Sequence, residues 1–373
     1  MSTVLVTGGA GFLGCHLVRA LVPDHEVVVL DVMSPQVHGP VPNRPASLVS
    51  DARLVVGDVR DAGVVGPLVD GCDVVVHLAA STGVGQSMYE IRDYFDVNVT
   101  GTAVVLEACQ RARQRPARLV LASSRAIYGE GRYYCQGCGP VVPWPRTAED
   151  LAAGRWEPPC PRCGETCRAD ATPEQSPPSP ASIYAISKLA QEQAVLAVGR
   201  AAGIDAVALR LFNVYGPGQS SQNPYTGVIN AFMARALSGA ASDVYEDGDA
   251  SRDFVHVEDV TSALEMAATG RLAPGVINVG TGRATTLLQA ASIVAEALGA
   301  PPPVINGAYR VGDVRHSCAD VAAAAELGVV AKVGVEEGLR DLAERVRGQT
   351  WADETSRVEA ELLAHGLGGR AEA

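Results

Sequence analysis

The stretch TGGAGFLG, residues 7–14, decides the fold of this chain. It follows the apolar run Val4–Val6 and opens Gly11–Leu21, a segment whose apolar residues recur at helical spacing. Glycines let a strand-to-helix turn approach a pyrophosphate closely, and the first turn of the helix offers free N–H groups to an anion. The order of strand, glycine-rich turn and helix therefore predicts a dinucleotide-binding unit.

Asp31 supplies the second feature of such a unit. It ends the next predicted strand, twenty residues after Gly11, where a carboxylate accepts hydrogen bonds from the ribose hydroxyls of adenosine. No arginine follows Asp31 closely enough to hold a 2′-phosphate, so the sequence favours NAD over NADP. The other residues predicted to line the NAD site lie in the loop or at strand ends: Gly8, Gly11, Phe12, Leu13, Gly14, Asp58, Val59, Leu78, Ala79 and Ala80.

Short runs rich in β-branched residues alternate with longer helical stretches through the first half of the chain. This alternation predicts an α/β fold with a doubly wound parallel sheet of the Rossmann type. The predicted strands are Val4–Val6, Val27–Leu30, Leu54–Val56, Val74–Leu78, Leu119–Ala122 and Ala206–Phe212. The predicted helices of this half are Gly11–Leu21, Tyr94–Arg113 and Tyr184–Val198.

The pattern divides the chain into three regions. Residues 1–212 form the predicted NAD-binding domain, interrupted by a cysteine-rich insertion at 131–172. Residues 213–350 form a smaller substrate-binding domain that shares some elements with the sheet, and residues 351–373 form a helical tail. Helices of the smaller domain are expected at Val228–Leu237, Val257–Ala268 and Leu287–Leu298.

Composition narrows the expected partners and location. The formal net charge is −12 and no basic stripe is present, so we expect no nucleic-acid partner. No stretch approaches the about 18 apolar residues that span a bilayer, so no membrane partner is expected. Nine cysteines without a recognisable secretory signal indicate reduced thiols and a cytoplasmic protein.

Tyr184 and Lys188 are four residues apart on a predicted helix and therefore share one face. Lys188 is one of only two lysines among 30 lysine and arginine residues, so its place in this pair is distinctive. An ammonium and a nicotinamide charge nearby favour tyrosinate, so we expect a lowered pKa for Tyr184 and proton transfer from a substrate hydroxyl. Ser124, after the fifth strand, can hydrogen-bond the same hydroxyl. His77 is interpreted as a hydrogen-bonded structural residue, because hydride chemistry does not require it.

Two Cys-x-x-Cys pairs lie in the insertion, separated by 21 residues, and a glycine follows each pair. Their four thiolates, from Cys135, Cys138, Cys160 and Cys163, can close a tetrahedral zinc site. Such a site is structural, because four protein ligands leave no open position for water. Cys167 lies close enough in sequence to serve as a spare ligand. The insertion falls between Tyr128 and Tyr184, so we expect it to shape access to the substrate end of the cleft.

Together these motifs resemble the extended short-chain dehydrogenases that modify nucleotide-linked sugars. The resemblance spans about residues 3–345. It implies that Ser124, Tyr184 and Lys188 form a catalytic triad and that the substrate is an NDP-sugar. It also implies a homodimer formed by the helices near Tyr94–Arg113 and Tyr184–Val198. Further residues carried over from the family are Asn98 for the cofactor, and Ser81, Thr82, Asn213, Arg252 and Arg310 for the substrate, the two arginines clamping its diphosphate.

The residues directly after Ser124 bear on the reaction type. Family members that eliminate water resemble one another in having an Asp-Glu pair there, whereas this chain has Arg125-Ala126-Ile127. Epimerisation at carbon 4 needs no such carboxylate, so a 4-epimerase is the leading hypothesis. The alternatives are an NAD(P)H-dependent NDP-ketosugar reductase and a non-catalytic NAD-binding scaffold.

A narrower resemblance, to the branch that acts on dTDP-6-deoxyhexoses such as dTDP-L-rhamnose, rests on the insertion and on residues 124–131 and 220–227. Within it, Arg125 is predicted to read a substrate group. Tyr225 is predicted to form a wall of the nucleotide pocket, with an ordinary loop aromatic as the alternative.

Overall fold

The computed structural model describes residues 1–40, 43–221, 223, 225 and 227–371. Its centre is a parallel sheet of seven strands. In chain order, these strands β1 to β7 are Thr3–Thr7, Glu26–Asp31, Arg53–Val56, Val74–His77, Arg118–Ser124, Asp205–Leu211 and Gly275–Val279. They lie side by side in the order β7-β6-β5-β4-β1-β2-β3. The winding reverses between β1 and β4, and ligands of such sheets bind at the carboxyl ends of the strands beside that point.

The predicted doubly wound sheet is confirmed, and all six predicted strands are present. The seventh strand, β7, comes from the region predicted as the substrate-binding domain and pairs with β6. Strand β5 runs two residues further than the predicted Leu119–Ala122 and ends at Ser124, at the crevice.

Helices cover both faces of the sheet and bury its valine and leucine side chains. Phe12–Leu21 and Val257–Ala268 pack on one face. Ala62–Val69, Gly101–Arg111 and Ile183–Ala202 pack on the other. No helix in the described part of the chain has an apolar stretch long enough to cross a bilayer.

The helix predicted over Tyr94–Arg113 is divided into three parts. A short helix, Ile91–Tyr94, leads into a π-helical turn at Phe95–Thr100, and the α-helix Gly101–Arg111 follows. The wider turn buries Asn98, so this amide projects towards the crevice and not along the regular helix face.

The region after residue 212 contributes to two cores. Helices Val228–Leu237, Leu287–Leu298 and Val335–Val346 share a core of their own, around Tyr215 and Phe254. Helix Val257–Ala268 and strand β7 instead belong to the central sheet. The other short elements here are helix Ala322–Glu326 and strands Asn213–Tyr215, Asp243–Val244, Ser251–Arg252, Phe254–His256, Thr285–Thr286, Val304–Ile305, Ala308–Arg310 and His316–Ser317.

The insertion forms a small antiparallel sheet from strands Tyr133–Cys135, Gly139–Val141 and Arg168–Ala169. A one-turn helix, Ala148–Ala152, begins with a capping box made by Thr147 and Asp150. One buried cluster of the insertion consists of Tyr133, Val141 and the side chains of Cys135, Cys160 and Cys167, and it offers little apolar surface to hold such a segment without a further constraint.

The C-terminal tail has more structure than the predicted helix. Helix Thr355–Ala364 is followed by strand Gly368–Arg370, which pairs antiparallel with Ala308–Arg310. Residues 372–373 of the predicted tail, and residues 222, 224 and 226 of the 220–227 stretch, lie outside the described residues.

Short helical segments also lie near the crevice: Pro35–His38, Val84–Ser87 and the 3-10 turn Arg125–Tyr128 that follows Ser124.

Candidate active site

Glycines of the loop allow close backbone contacts that a side chain would prevent. A Cβ on Gly8, where φ is +69°, would lie 2.7 Å from the backbone nitrogen of Ala79, and a Cβ on Gly14 would lie 2.4 Å from the Cα of Gly9. Gly11 is the N-cap of helix Phe12–Leu21 and provides no side-chain cap. The first-turn N–H groups of Phe12 and Leu13 are thus available to an anion, as the pyrophosphate of NAD requires.

The carboxylate of Asp31 is fixed beside this loop. It accepts hydrogen bonds from the backbone N–H groups of Ala10 at 3.0 Å and Met33 at 2.9 Å. Leu78, Ala79 and Ala80 follow β4 and line the opposite side, where the Ala79 N–H donates to Thr7 Oγ1 at 3.3 Å. The residues present therefore fit NAD at the position predicted from the sequence.

Ser124 and Tyr184 meet at the crevice because a strand end and a helix start converge there. Ser124 ends β5, and Tyr184 lies in the first turn of Ile183–Ala202, a helix capped by Ser182, whose Oγ accepts from the Ala185 N–H at 3.2 Å. The Tyr184 ring packs edge-on against Tyr94, with centroids 6.5 Å apart. The Ser124 side chain lies near enough to the Tyr184 phenol to lower its pKa, so the two predicted catalytic residues are neighbours at the crevice.

The electrostatics differ from the prediction for Tyr184. Burial raises the pKa of Tyr184, while the Ser124 hydrogen bond and the charge of Arg125 act in the opposite direction. Lys188 donates from Nζ to the Ala122 carbonyl at 2.6 Å, and burial lowers its pKa to about 7. Lys188 is not among the groups that act on the Tyr184 pKa, because its Nζ is directed at the backbone of β5, and the lowering expected beside Lys188 and the nicotinamide charge stays a prediction.

His77 and Asn98 form hydrogen bonds with residues around the site. The His77 ring is hydrogen-bonded to Thr7 Oγ1 at 2.7 Å and Thr102 Oγ1 at 2.9 Å, and burial lowers its pKa to about 3. The interpretation of His77 as a neutral structural residue is confirmed. Asn98 accepts from the Ser81 N–H at 2.7 Å and donates to Ser187 Oγ at 2.9 Å, so it ties the loop after β4 to the Tyr184 helix.

The three predicted substrate arginines converge on one carboxylate. Arg252 pairs with Asp313 at 2.9 Å and is held by two backbone carbonyls, with only 5% of its surface exposed. The charges of Arg252, Arg310 and Arg125 all lower the pKa of Asp313 against the effect of burial. Arg310 lies over the Tyr245 ring at 4.9 Å, and its buried Nε has no hydrogen-bond partner. The sequence did not indicate a role for Asp313, although it ends the short segment Arg310-Val311-Gly312-Asp313.

Four other predicted contacts lie at the rim of the crevice. Asp58 forms an ion pair with Arg60 at 2.6 Å, and Val59 is buried under Gly101. The Thr82 carbonyl accepts from the Tyr94 hydroxyl at 2.9 Å. Asn213 has a buried Oδ1 without a hydrogen-bond partner, which leaves an acceptor free beside strand Phe254–His256.

Tyr225 lies over the loop that follows β4. A Cβ on Gly83 would lie 3.1 Å from its Cβ, so Tyr225 forms part of a wall beside the candidate site. Its hydroxyl hydrogen-bonds Glu361 in the C-terminal tail, a partner that the sequence did not indicate.

A buried polar network behind the site was also missed. Glu192, four residues after Lys188, pairs with Arg210 at 2.6 Å and accepts from the Ser123 hydroxyl at 2.6 Å. Arg210 donates to Tyr128 Oη at 2.7 Å. The Glu192 charge opposes the effect of burial on the Lys188 pKa, so this network supports the helix that carries Tyr184 and Lys188. The spacing of Glu192 from Lys188 was the available signal.

The four predicted metal ligands are brought together in the insertion. The Sγ atoms of Cys135, Cys138, Cys160 and Cys163 all lie within 4.8 Å of one another. The Arg162 N–H donates to Cys160 Sγ at 3.5 Å. Thiolates at 2.3 Å from a tetrahedral zinc ion lie about 3.8 Å apart, so the arrangement fits a zinc ion.

Arg146 connects the insertion to the arginine cluster. It pairs with Glu246 at 2.8 Å and Glu130 at 3.3 Å, and it donates to the Asp313 carbonyl at 3.0 Å. Because Asp313 also pairs with Arg252, the insertion packs directly beside the predicted substrate arginines.

This combination of a dinucleotide crevice, a Ser-Tyr-Lys set and an arginine cluster is that of a nucleotide-sugar enzyme of the extended short-chain dehydrogenases. The chain belongs to the NAD dependent epimerase/dehydratase family, whose pattern matches residues 4–145 and 160–280. The unmatched gap lies within the insertion.

Three similar proteins illustrate the family. A dTDP-L-rhamnose 4-epimerase from Burkholderia thailandensis is 40% identical, over 93% of this chain and 94% of its own length. The crystal structure of a UDP-glucose 4-epimerase from Thermotoga maritima with UDP-glucose is 31% identical, with a TM-score of 0.75 and coverage of 92% and 97%. That of a UDP-glucose 4-epimerase from Thermus thermophilus with NAD is 31% identical, with a TM-score of 0.74 and coverage of 93% and 99%.

Proposed function

We propose that this protein is an NAD-dependent 4-epimerase of a nucleotide-linked sugar. The observation that carries the proposal is the placement of Ser124 and Tyr184 together at the NAD crevice, with Arg125 where a dehydrating enzyme would need an acid. The first carboxyl group after Ser124 in the sequence is Glu130. It is engaged by the Arg146 guanidinium at 3.3 Å and by the Arg315 N–H at 2.8 Å, which argues against its use as an acid or base.

The charge of the arginine cluster supports an NDP-sugar as substrate. Three guanidinium groups, from Arg125, Arg252 and Arg310, face the single carboxylate of Asp313. Guanidinium groups carry the positive charge that matches the two negative charges of a nucleoside diphosphate ester. Guanidinium forks also match the geometry of phosphate oxygens.

The chain's own residues would move a proton at the carbon-4 hydroxyl of the sugar. NAD held in the crevice would supply the acceptor and donor of the hydride at carbon 4. Tyr184 takes the hydroxyl proton and gives it back when the 4-keto sugar is reduced, while Ser124 orients the hydroxyl. Lys188 lies one helical turn away and has a pKa of about 7, so its charge responds to changes near neutral pH.

A dTDP-6-deoxyhexose such as dTDP-L-rhamnose is the sugar nucleotide that we propose. The support is the 40% identity to the Burkholderia thailandensis dTDP-L-rhamnose 4-epimerase over nearly the whole of both chains. Arg125 would contact the sugar or its phosphate, since it lies close enough to Tyr184 to influence its pKa.

Incubation of the purified enzyme with dTDP-L-rhamnose and related NDP-sugars tests this function, with products followed by NMR and no added NADH. We expect a carbon-4 epimer and many turnovers per enzyme, because epimerisation regenerates its cofactor. Turnover that begins only when NADH or NADPH is supplied, in proportion to the amount added, would indicate a ketosugar reductase. NAD binding without any turnover would favour a scaffold.

We further propose that the four cysteines of the insertion hold a structural zinc ion. Four thiolate ligands exclude a water ligand, so the ion would stabilise the fold of the insertion and take no part in the reaction. The small apolar interior of the insertion makes such a constraint necessary.

Removal of this metal is expected to unfold the insertion and lower the unfolding temperature by several degrees. The double variant Cys135→Ser/Cys163→Ser should lose the metal, whereas Cys318→Ser, which alters a partly buried thiol outside the cluster, should keep it. Cys167→Ser should also keep it if Cys167 is only a spare ligand. Elemental analysis and thermal unfolding with and without a chelator measure both effects. Wild-type protein without bound metal, or with an unchanged unfolding temperature after chelation, would contradict the proposal.

We also propose a cytoplasmic homodimer with helices Gly101–Arg111 and Ile183–Ala202 at its interface. Ile186, on the second of these helices, is a 39% exposed apolar side chain that such an interface would cover.

A further inference from the structure

The C-terminal segment, residues 354–371, lies across the mouth of the candidate site. On one side it packs on the part of the chain that follows β4. The buried side chain of Leu362 fits against Gly85, where a Cβ would lie 3.0 Å from Leu362 Cδ2. The His365 ring stacks on the Tyr89 ring, with centroids 4.3 Å apart and an interplanar angle of 5°.

On the other side the C-terminal segment pairs, as a neighbouring strand, with the strand that carries Arg310. Strand Gly368–Arg370 pairs with Ala308–Arg310, and Gly368 is in register with Arg310. The Val311 N–H donates to the Leu367 carbonyl at 2.9 Å. The backbone position of one substrate arginine is therefore set partly by the last strand of the chain.

Glu361 joins the two sides. Its carboxylate accepts hydrogen bonds from the Tyr89 hydroxyl at 3.3 Å and from the Tyr225 hydroxyl. Arg357, one turn earlier, pairs with Glu361 at 2.6 Å and also donates to the Tyr225 hydroxyl at 3.3 Å. Charge-assisted hydrogen bonds of this kind are stronger and more directional than neutral ones.

Tyr225 is in turn close to the reacting groups. It packs over Gly83, and the phenol of Tyr94 would lie 2.9 Å from a Cβ at the same position. The Tyr94 ring contacts the Tyr184 ring. The C-terminal segment thus reaches the site through side chains that surround the substrate and not through the groups that exchange a proton.

We propose that the C-terminal segment is part of the substrate-binding machinery, in which Glu361 fixes Tyr225 and strand Gly368–Arg370 fixes Arg310 over the nucleoside diphosphate. This inference rests on the proposed function for the identity of the ligand. Glu361 is a positioning residue: it contributes to affinity for the nucleoside diphosphate and leaves the proton and hydride steps unchanged.

The variant Glu361→Ala tests the proposal in the full-length, NAD-loaded enzyme. Titration calorimetry with dTDP and UDP should show about tenfold weaker binding of whichever diphosphate the wild type binds, because two tyrosines lose their common acceptor. KM for the sugar nucleotide should rise by a similar factor, with kcat within twofold of wild type. Glu361→Gln keeps an acceptor but loses the charge, so its affinity for the diphosphate should lie between those of the wild type and Glu361→Ala.

The matched control is Glu336→Ala. Glu336 also forms an ion pair with an arginine one helical turn away, Arg340, but on helix Val335–Val346. It should bind the diphosphate as the wild type does.

A chain ending at Asp353 should weaken binding at least as much as Glu361→Ala, with thermal unfolding used to verify that it folds. Unchanged diphosphate binding by Glu361→Ala, or a loss confined to kcat, would overturn the proposal. Because calorimetry needs no turnover, a failed epimerase assay with weakened binding would refute the proposed function and still support the role of the segment.

Discussion

Replacing Tyr184 with phenylalanine is expected to lower kcat by about a thousandfold. A positioned acid–base group contributes about 10²–10⁴-fold to a rate, and Tyr184 is the phenol that lies beside Ser124 at the crevice. The ring itself remains and keeps its edge-on contact with Tyr94, so the fold and the NAD content should not change. Steady-state epimerase kinetics, together with the absorbance of the bound cofactor, measure both expectations.

The control for this variant is Tyr134→Phe. Tyr134 is a tyrosine of the insertion that is 41% exposed, and losing its hydroxyl should leave kcat within twofold of wild type. A Tyr184→Phe enzyme that retains more than a tenth of the wild-type kcat would rule out Tyr184 as the acid–base group.

Replacing Arg252 with leucine is expected to weaken binding of the nucleoside diphosphate by about 100-fold. Arg252 is buried, it is held by two backbone carbonyls, and it pairs with Asp313 at 2.9 Å. Removing one partner of a buried charged contact costs about 2–5 kcal/mol, and each 1.4 kcal/mol is a factor of ten. Calorimetry with dTDP and UDP measures the effect in NAD-loaded protein.

Two further variants separate charge from geometry. Arg252→Lys keeps the charge but loses the planar fork, so it should bind with intermediate affinity. Arg271→Leu removes a surface arginine that also pairs with a carboxylate, Glu265, and should bind as the wild type does. Equal affinity of wild type and Arg252→Leu would show that the diphosphate does not bind at this cluster.

The NAD crevice could be predicted in detail because its determinants are local. A glycine at residue 8 with φ of +69°, a helix that begins at Phe12 and a carboxylate after the second strand are all encoded within about 25 residues of one another. The cysteine cluster was predictable for the same reason, since each pair shares a short loop and only the distance between the pairs depended on folding.

The substrate side could be predicted only as a set of separate residues. Arg125 and Arg252 lie far from Arg310 in the sequence, and only the folded chain places all three near Asp313, which follows Arg310 by three residues. The lowered pKa expected for Tyr184 stays a prediction, because the Tyr-x-x-x-Lys spacing does not decide the direction of Lys188 Nζ, which donates to the Ala122 carbonyl.

The sequence by itself determined the parallel sheet and the cofactor class, and it placed Tyr184 with Lys188 on one helix and each Cys-x-x-Cys pair in one loop, because each of these depends on periodicity or on spacing within one element or loop. The tertiary structure alone decided the Glu192–Arg210 pair, the link from Arg146 to Asp313 and the place of the C-terminal segment over the site. The Glu192–Arg210 pair joins residues 18 apart, and the bond from Arg146 to Asp313 joins residues 167 apart. No local pattern specifies which distant side chain will satisfy a buried charge.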